Sequence, residues 1–313
     1  MNTVDTVLLD MTPEEAWRTR EDRRKRDANV SSYAIVGSNA NIDDCYAAIR
    51  GAELEVTGGD YENGTAQLND ELLVVYGRPH VLLTAEHATR HKRALSDGVI
   101  VKKDEDYGTG GLALLVAREL SQQAIIARGR QTGDASHDEW HPLKDQMSKL
   151  ITPESSAHFA IHQMMRGHAA RPGDETSFHV LLGVGNNPSE ATKTLVNDYL
   201  LGLATDMGLR AGVNQPHLLW DAKAKVPLLD DEGRIKTAVF AAAGPNTTRS
   251  FSQQRACVLG IDDAFASVQI EMSGALGYKA DGDEIFNNES ERRLGAYIGY
   301  AFVKLAVESA LAL

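Results

Sequence analysis

Val81-Leu82-Leu83-Thr84-Ala85-Glu86-His87-Ala88-Thr89-Arg90 is the stretch on which the fold turns. It opens as a short apolar run, rich enough in branched side chains to be a buried strand. It then turns polar, at an acid, an imidazole and an arginine. A buried strand with that ending delivers polar groups to one edge of a sheet. In open α/β sheets the carboxyl ends of strands are where ligands bind. Two other stretches end in a similar way: residues 156–162 close on His162, and residues 265–271 close on Glu271. If those strands are neighbours, two imidazoles and a carboxylate meet at one metal-dependent site.

Working outward, the chain downstream of Val81 alternates between strand and helix. Residues 108–122 read as a helix, with Leu112, Leu115, Val116, Ala117 and Leu120 on its apolar stripe. Residues 124–127, 157–162, 178–183, 209–213, 237–242 and 266–271 read as strands. Residues 142–151, a stretch opened by Asn187-Pro188-Ser189, and a final segment from Glu289 read as helices. Such βα alternation predicts an α/β fold with a mixed, mostly parallel central sheet and helices on both faces. Upstream, residues 12–28 carry a helix start at Thr12-Pro13-Glu14-Glu15 and a run of basic side chains, read as a solvated face. Residues 32–36, 52–56 and 72–76 read as short strands. The division that follows is an N-terminal extension over 1–77, packed on a main domain over 78–313.

The bulk composition narrows the function. The chain has 313 residues and a formal net charge of −12, which argues against a non-specific nucleic-acid binder. Cys45 and Cys257 are its only cysteines, too few for a disulfide framework or a cysteine-rich zinc site, and they favour a reduced, cytoplasmic setting. No signal-peptide pattern is visible, and the longest apolar stretch is broken by Lys304 and Glu308, so no membrane partner is expected.

Several residues are candidates for chemistry. A catalytic zinc needs about three ligands from His, Asp or Glu, and His87 leads. Glu86 points away from it on an extended strand. His91, four residues on, lacks the Glu of a zinc helix and is expected at the surface. Asp106, just before a helix, reads equally as an N-cap and as a ligand. His158 and His162 share a strand face. His162, nearer the strand end, is the better ligand, and His158 is expected in the core or behind the ligands. Glu271 shares its strand face with Gln269 and Ser267, a polar face that is costly unless it lines a site. Arg128, Arg130, Arg166, Arg171 and Arg249 are candidates for binding a substrate carboxylate, with Arg166 favoured for its place after His162. Neither G-x-S-x-G, G-x-x-x-x-G-K-S/T nor G-x-G-x-x-G occurs, which removes the serine elbow and the common nucleotide sites.

Taken in order, Thr84-Ala85-Glu86-His87-Ala88, Asp106-Tyr107-Gly108-Thr109, Ile161-His162, Val213-Asn214-Gln215-Pro216 and Val268-Gln269-Ile270-Glu271-Met272 resemble the motifs of the N-formylglutamate amidohydrolase family, distant relatives of the zinc carboxypeptidases. The resemblance spans roughly residues 78–280. It implies a three-layer α/β/α, zinc carboxypeptidase-like fold and one divalent zinc held by His87, Asp106 and His162. It also implies Glu271 as acid–base carboxylate and Asn214 in the substrate site. The family's arginine segment is indistinct here, and residues 128–138 are the nearest stretch. The expected activity is hydrolysis of a small N-acyl amino acid or γ-glutamyl-type amide bearing a carboxylate. The alternative is a non-catalytic binding or structural protein that keeps the fold.

Overall fold

A seven-stranded sheet organises the computed structural model, which describes residues 42–65, 72–94, 98–164, 179–185, 187–213, 217–218, 220–221, 226–227, 237–238, 242, 244–276 and 289–313. The helix and strand expected over 12–28 and 32–36 lie outside the described residues, as do Arg166, Arg171 and Asn214. In chain order the elements begin with α1 (Ile42–Thr57), β1 (Leu72–Val75), β2 (Arg78–Ala85), β3 (His91–Ala94), β4 (Ile100–Lys103), α2 (Thr109–Glu119) and β5 (Gln122–Ala127). They continue with α3 (Pro142–Leu150), β6 (Ala157–Gln163), β7 (Val180–Gly183) and α4 (Glu190–Thr194), then a π-helical segment (Leu195–Leu200) leading into α5 (Leu201–Asp206) and β8 (Ala211–Val213). The two-residue pieces β9 (His217–Leu218), β10 (Trp220–Asp221), β11 (Val226–Pro227) and β12 (Thr237–Ala238) follow, and then α6 (Thr248–Leu259), β13 (Ala266–Met272) and α7 (Glu289–Ala312).

The main sheet runs β1-β5-β2-β6-β13-β7-β8. β5, β2, β6 and β13 are mutually parallel, β1 and β7 are antiparallel to their inner neighbours, and β8 is parallel to β7. The fold is therefore α/β with a mixed, mostly parallel sheet, as the alternation predicts. The larger apolar core lies on one face, where α1, α2, α7 and the π-helical segment pack. A smaller one, with Leu143, Met147 and Ala256 from α3 and α6, lies on the other.

The three central strands are buried on both faces but sort their side chains by polarity. Val81, Leu83 and Ala85 of β2, Ala157, Phe159 and Ile161 of β6, and Ala266, Val268, Ile270 and Met272 of β13 enter the larger core. The intervening positions carry Thr84, His158, His162, Ser267, Gln269 and Glu271, all buried. Alternation puts these on the α3/α6 side. Because β2, β6 and β13 are adjacent and parallel, with Glu271 level with His162, their polar ends converge at one edge.

Residues 52–56 are a correction. They lie in α1, not in a strand. Tyr46, Ile49, Ala52, Glu53 and Val56 recur at helical spacing and are the buried face. The glutamate in that stripe has a specific use. Its carboxylate reaches the start of α2, accepting from the amide N–H groups of Gly108 at 3.1 Å and Gly111 at 2.5 Å. Gly108 is left-handed with φ 78° and offers no side-chain cap, so the carboxylate of another helix caps α2. A Cβ on Gly111 would stand 2.6 Å from the Glu53 nitrogen, so glycine is what allows α1 to come so close. Burial raises the Glu53 pKa to about 7 against the pull of those two amides and Tyr61.

Within α7, Arg292–Ala312 is long and apolar enough to cross a membrane by length and composition. Lys304 and Glu308 interrupt this stretch in the sequence. Phe302, Val303, Ala306, Val307 and Ala310 of that helix are buried in the larger core.

Replacing Glu53 with Ala leaves two buried N–H groups without an acceptor. Each should cost roughly 1–3 kcal/mol, so chemical denaturation should show a loss of that order. A variant as stable as the parent would show that α2 needs no cap from α1.

Candidate metal centre

The first part of the site is the turn after β2. The strand ends at Ala85, and Glu86 and His87 lie in the following turn. The His87 carbonyl accepts from the Asp106 N–H at 2.7 Å, tying the turn to the start of α2. Since Glu53 caps α2, the Asp106 carboxylate is free to face the site. Its Oδ2 lies 3.6 Å from His87 Nδ1 and 3.1 Å from His162 Nδ1. These three side chains form a group whose donor atoms all lie within 4.8 Å of one another. Ligands about 2.0–2.1 Å from a tetrahedral zinc stand roughly 3.3 Å apart, so the spacing suits an ion of that size.

The far nitrogen of each imidazole meets a second buried carboxylate. His87 Nε2 is 3.0 Å from Asp134 Oδ1. His162 Nε2 is 3.0 Å from Glu86 Oε1, though without the alignment of a full hydrogen bond. Glu86 also accepts from the hydroxyls of Thr248 and Ser136, while its Oε2 has no partner. Metal-binding histidines are commonly oriented in this way, by a carboxylate on the ring nitrogen that does not ligate.

Charge gives an independent test of fit. Glu86, Asp106 and Asp134 bring three carboxylates, and Arg93, 2.5 Å from Asp134, brings one cation. With neutral imidazoles the group carries two excess negative charges, which a dication would cancel. Protons can do the same. Burial alone would lower the His87 pKa, yet Asp106 and Asp134 outweigh it and hold it up at about 9. His162 is likewise raised, against its burial, chiefly by Glu86 and Asp106. Despite their burial, Asp106 falls to about 2, and Glu86 and Asp134 fall well below the carboxylate range. The carboxylates that favour a proton on each imidazole would favour a divalent ion in their place.

His91 is a correction. It is buried in β3 at 4% exposure. Its ring stacks on that of His87 at 4.1 Å between centroids, and its Nε2 lies 3.3 Å from Asp134. The chain turns over residues 86–89, between β2 and β3, and that turn lets the H-x-x-x-H spacing bring the two rings together without a helix. His87, His91 and Asp134 form a second group of metal-capable donors. The Arg93 ion pair already satisfies Asp134 there, which fits a supporting role better than a second ion. Nothing in the sequence singles out Asp134. It lies within residues 128–138, and only the fold brings it behind His87.

Glu271 is 5% exposed on the polar face beside His162. Its carboxylate accepts from Gln269 Nε2 at 2.6 Å, so its partner is an amide and not an arginine. Burial raises its pKa, partly offset by His162. Deeper on that face, His158 Nε2 meets the Thr84 hydroxyl at 3.0 Å and Nδ1 meets the Ser252 hydroxyl at 2.9 Å. It therefore sits in the core and not at the donor cluster. Of the candidate arginines, Arg128 turns to Thr65 Oγ1 at 2.6 Å, Arg130 is exposed, and Arg249 is buried near Ser267.

No protein-family model matches the chain, and no curated protein matches it. Several solved structures are similar to it at low level, two of which follow. One, described as a bacteriophage poly-gamma-glutamate hydrolase, has a TM-score of 0.41 and 14% identity, over 77% of this chain and 87% of that one. The other, gene product Atu2144 from Agrobacterium tumefaciens, has a TM-score of 0.41 and 14% identity, over 84% of this chain and 98% of that one.

Burial lowers the His158 pKa to about 4. Stability tied to its neutral form is complete above the ordinary histidine value near 6.5 and is lost as the pH falls towards 4. Ring-labelled NMR should therefore find His158 uncharged at pH 5.5. A His158 signal half-titrated at pH 6 or above would contradict the buried, neutral assignment.

Proposed function

We propose that the chain is a metal-dependent hydrolase of amide bonds, with zinc as the ion, His87, Asp106 and His162 as its ligands, and Glu271 as the residue that moves the proton. The observation that carries the reading is a three-donor cluster, its two imidazoles buried and Asp106 partly so, with a further carboxylate behind each imidazole. When bound, such an ion polarises a carbonyl and lowers the pKa of water at its open position. The chain's own residues do the rest. Asp134 and Glu86 fix the two imidazole planes. Glu271 takes a proton from the attacking water as oxygen adds to the amide carbon, and returns it to the nitrogen as the C–N bond breaks. Its raised pKa suits both halves of that transfer, since a general acid–base works best near the operating pH. The proposed substrate is a small N-acyl amino acid or γ-glutamyl-type amide bearing a carboxylate.

Elemental analysis tests the ligand set. His87→Ala and His162→Ala should each lose stoichiometric zinc, and undiminished metal in either would remove that residue from the set. Glu86→Gln and Asp134→Asn should bind zinc about 10–100-fold more weakly in competition with a chelator, because they loosen a ligand without deleting it.

Glu271→Gln separates chemistry from binding. The variant should fold, hold its metal and turn over an amide substrate about 10²–10⁴ times more slowly. A metal-loaded variant with full turnover would assign the proton transfer elsewhere. A wild-type chain that takes up no zinc would leave the non-catalytic alternative standing.

A further inference from the structure

Arg249 is a buried cation without a counter-charge. It follows Thr248 at the start of α6 and is 4% exposed. Its Nε donates to the Ser267 carbonyl at 3.4 Å, and its Nη2 has no hydrogen-bond partner. Among the described residues no carboxylate pairs with it, and burial alone pulls its pKa to about 10. Its neighbours on the polar face are uncharged: Ser252 and Ser267 are hydroxyls, and His158 is held neutral. An isolated buried charge is expensive, and arginine does not shed its proton to escape the cost. The backbone is shaped to admit the guanidinium. Gly185 has φ +71°, and a Cβ there would stand 2.1 Å from Nη1, so both its conformation and its missing side chain make the room.

We propose that Arg249 is an anion subsite that receives a carboxylate of the ligand, on the same sheet face as Glu271. Thr248, next to it, donates to Glu86 at the donor cluster, and Ser267, its backbone partner, shares a strand face with Glu271. Ser267 and Glu271 are separated by four steps of β13, on the order of 13 Å. A ligand joining the two points is therefore an acidic, peptide-like amide about as long as four extended residues, which favours the γ-glutamyl-type member of the proposed substrates over a single N-acyl amino acid. The choice of substrate rests on the hydrolase reading. The anion subsite itself does not.

Glutarate, with its uncharged diamide glutaramide as control, tests the subsite on the full chain by thermal shift and calorimetry, without turnover. Wild type should be stabilised by glutarate and not by glutaramide. Arg249→Met should bind glutarate at least about tenfold more weakly, in line with truncation of a desolvated charge partner. Without glutarate it should melt no lower than wild type, since it removes an uncompensated charge at similar volume. Arg249→Lys should fall between them, because an ammonium lacks the two-pronged fork. Equal glutarate responses in wild type and Arg249→Met would overturn the proposal. If the Met variant does not fold, wild type and the Lys variant decide: binding both probes alike, binding neither, or an unweakened Lys variant would each overturn it. A protein that takes up glutarate through Arg249 but cleaves no amide would keep this subsite and lose the hydrolase reading. Zinc-dependent amide cleavage with no response to glutarate would do the reverse.

Discussion

Polar side chains on one face of a buried parallel sheet must find their partners inside the protein, and that constraint shapes this molecule. β2, β6 and β13 give their apolar alternates to the larger core and their polar alternates to the α3/α6 side. Each polar group is then answered locally: Thr84 by His158, Ser267 by Ser252, Gln269 by Glu271, and Glu86 by Thr248 and His162. What hydroxyls and amides do not satisfy is left as charge at the strand ends. The candidate centre is where that unsatisfied charge collects.

Rigidity there comes from two directions. The imidazoles are held from behind by Asp134 and Glu86, and Asp106 is held through the backbone by the His87 carbonyl. The α2 terminus beside Asp106 is in turn capped by Glu53. A residue at the start of a helix ordinarily faces a choice between capping that helix and serving a site. Here another helix supplies the cap, and the choice does not arise.

The central strands were legible because their period is two. His158 with His162, and Ser267 with Gln269 and Glu271, can be placed on one face by counting. The parallel sheet followed from βα alternation. Other features depend on tertiary contact and leave no periodic trace. Residues 52–56 carry Ala-Glu-Leu-Glu-Val, whose apolar and acidic side chains alternate, and look like a strand until Tyr46 and Ile49 are counted with them. His91 looks exposed because the H-x-x-x-H spacing lacks the Glu of a zinc helix, yet it lies beside Asp134, which Arg93 anchors. Asp134 follows a glycine in a loop, and nothing local separates it from an ordinary turn residue. Arg249 stood in sequence as one of five arginines. Its burial without a carboxylate exists only in three dimensions.

The adjacency of β6 and β13 also bears on how the chain is made. The two strands pair along their whole length, yet more than a hundred residues separate them in sequence, and parallel pairing at such separation is slow. During synthesis β6 emerges long before β13 and waits with one edge uncovered. Unpaired edges of that kind invite pairing with other chains. The strand that brings Glu271 to the site is also the one that closes this edge, so the residue proposed for chemistry arrives together with protection against misassembly.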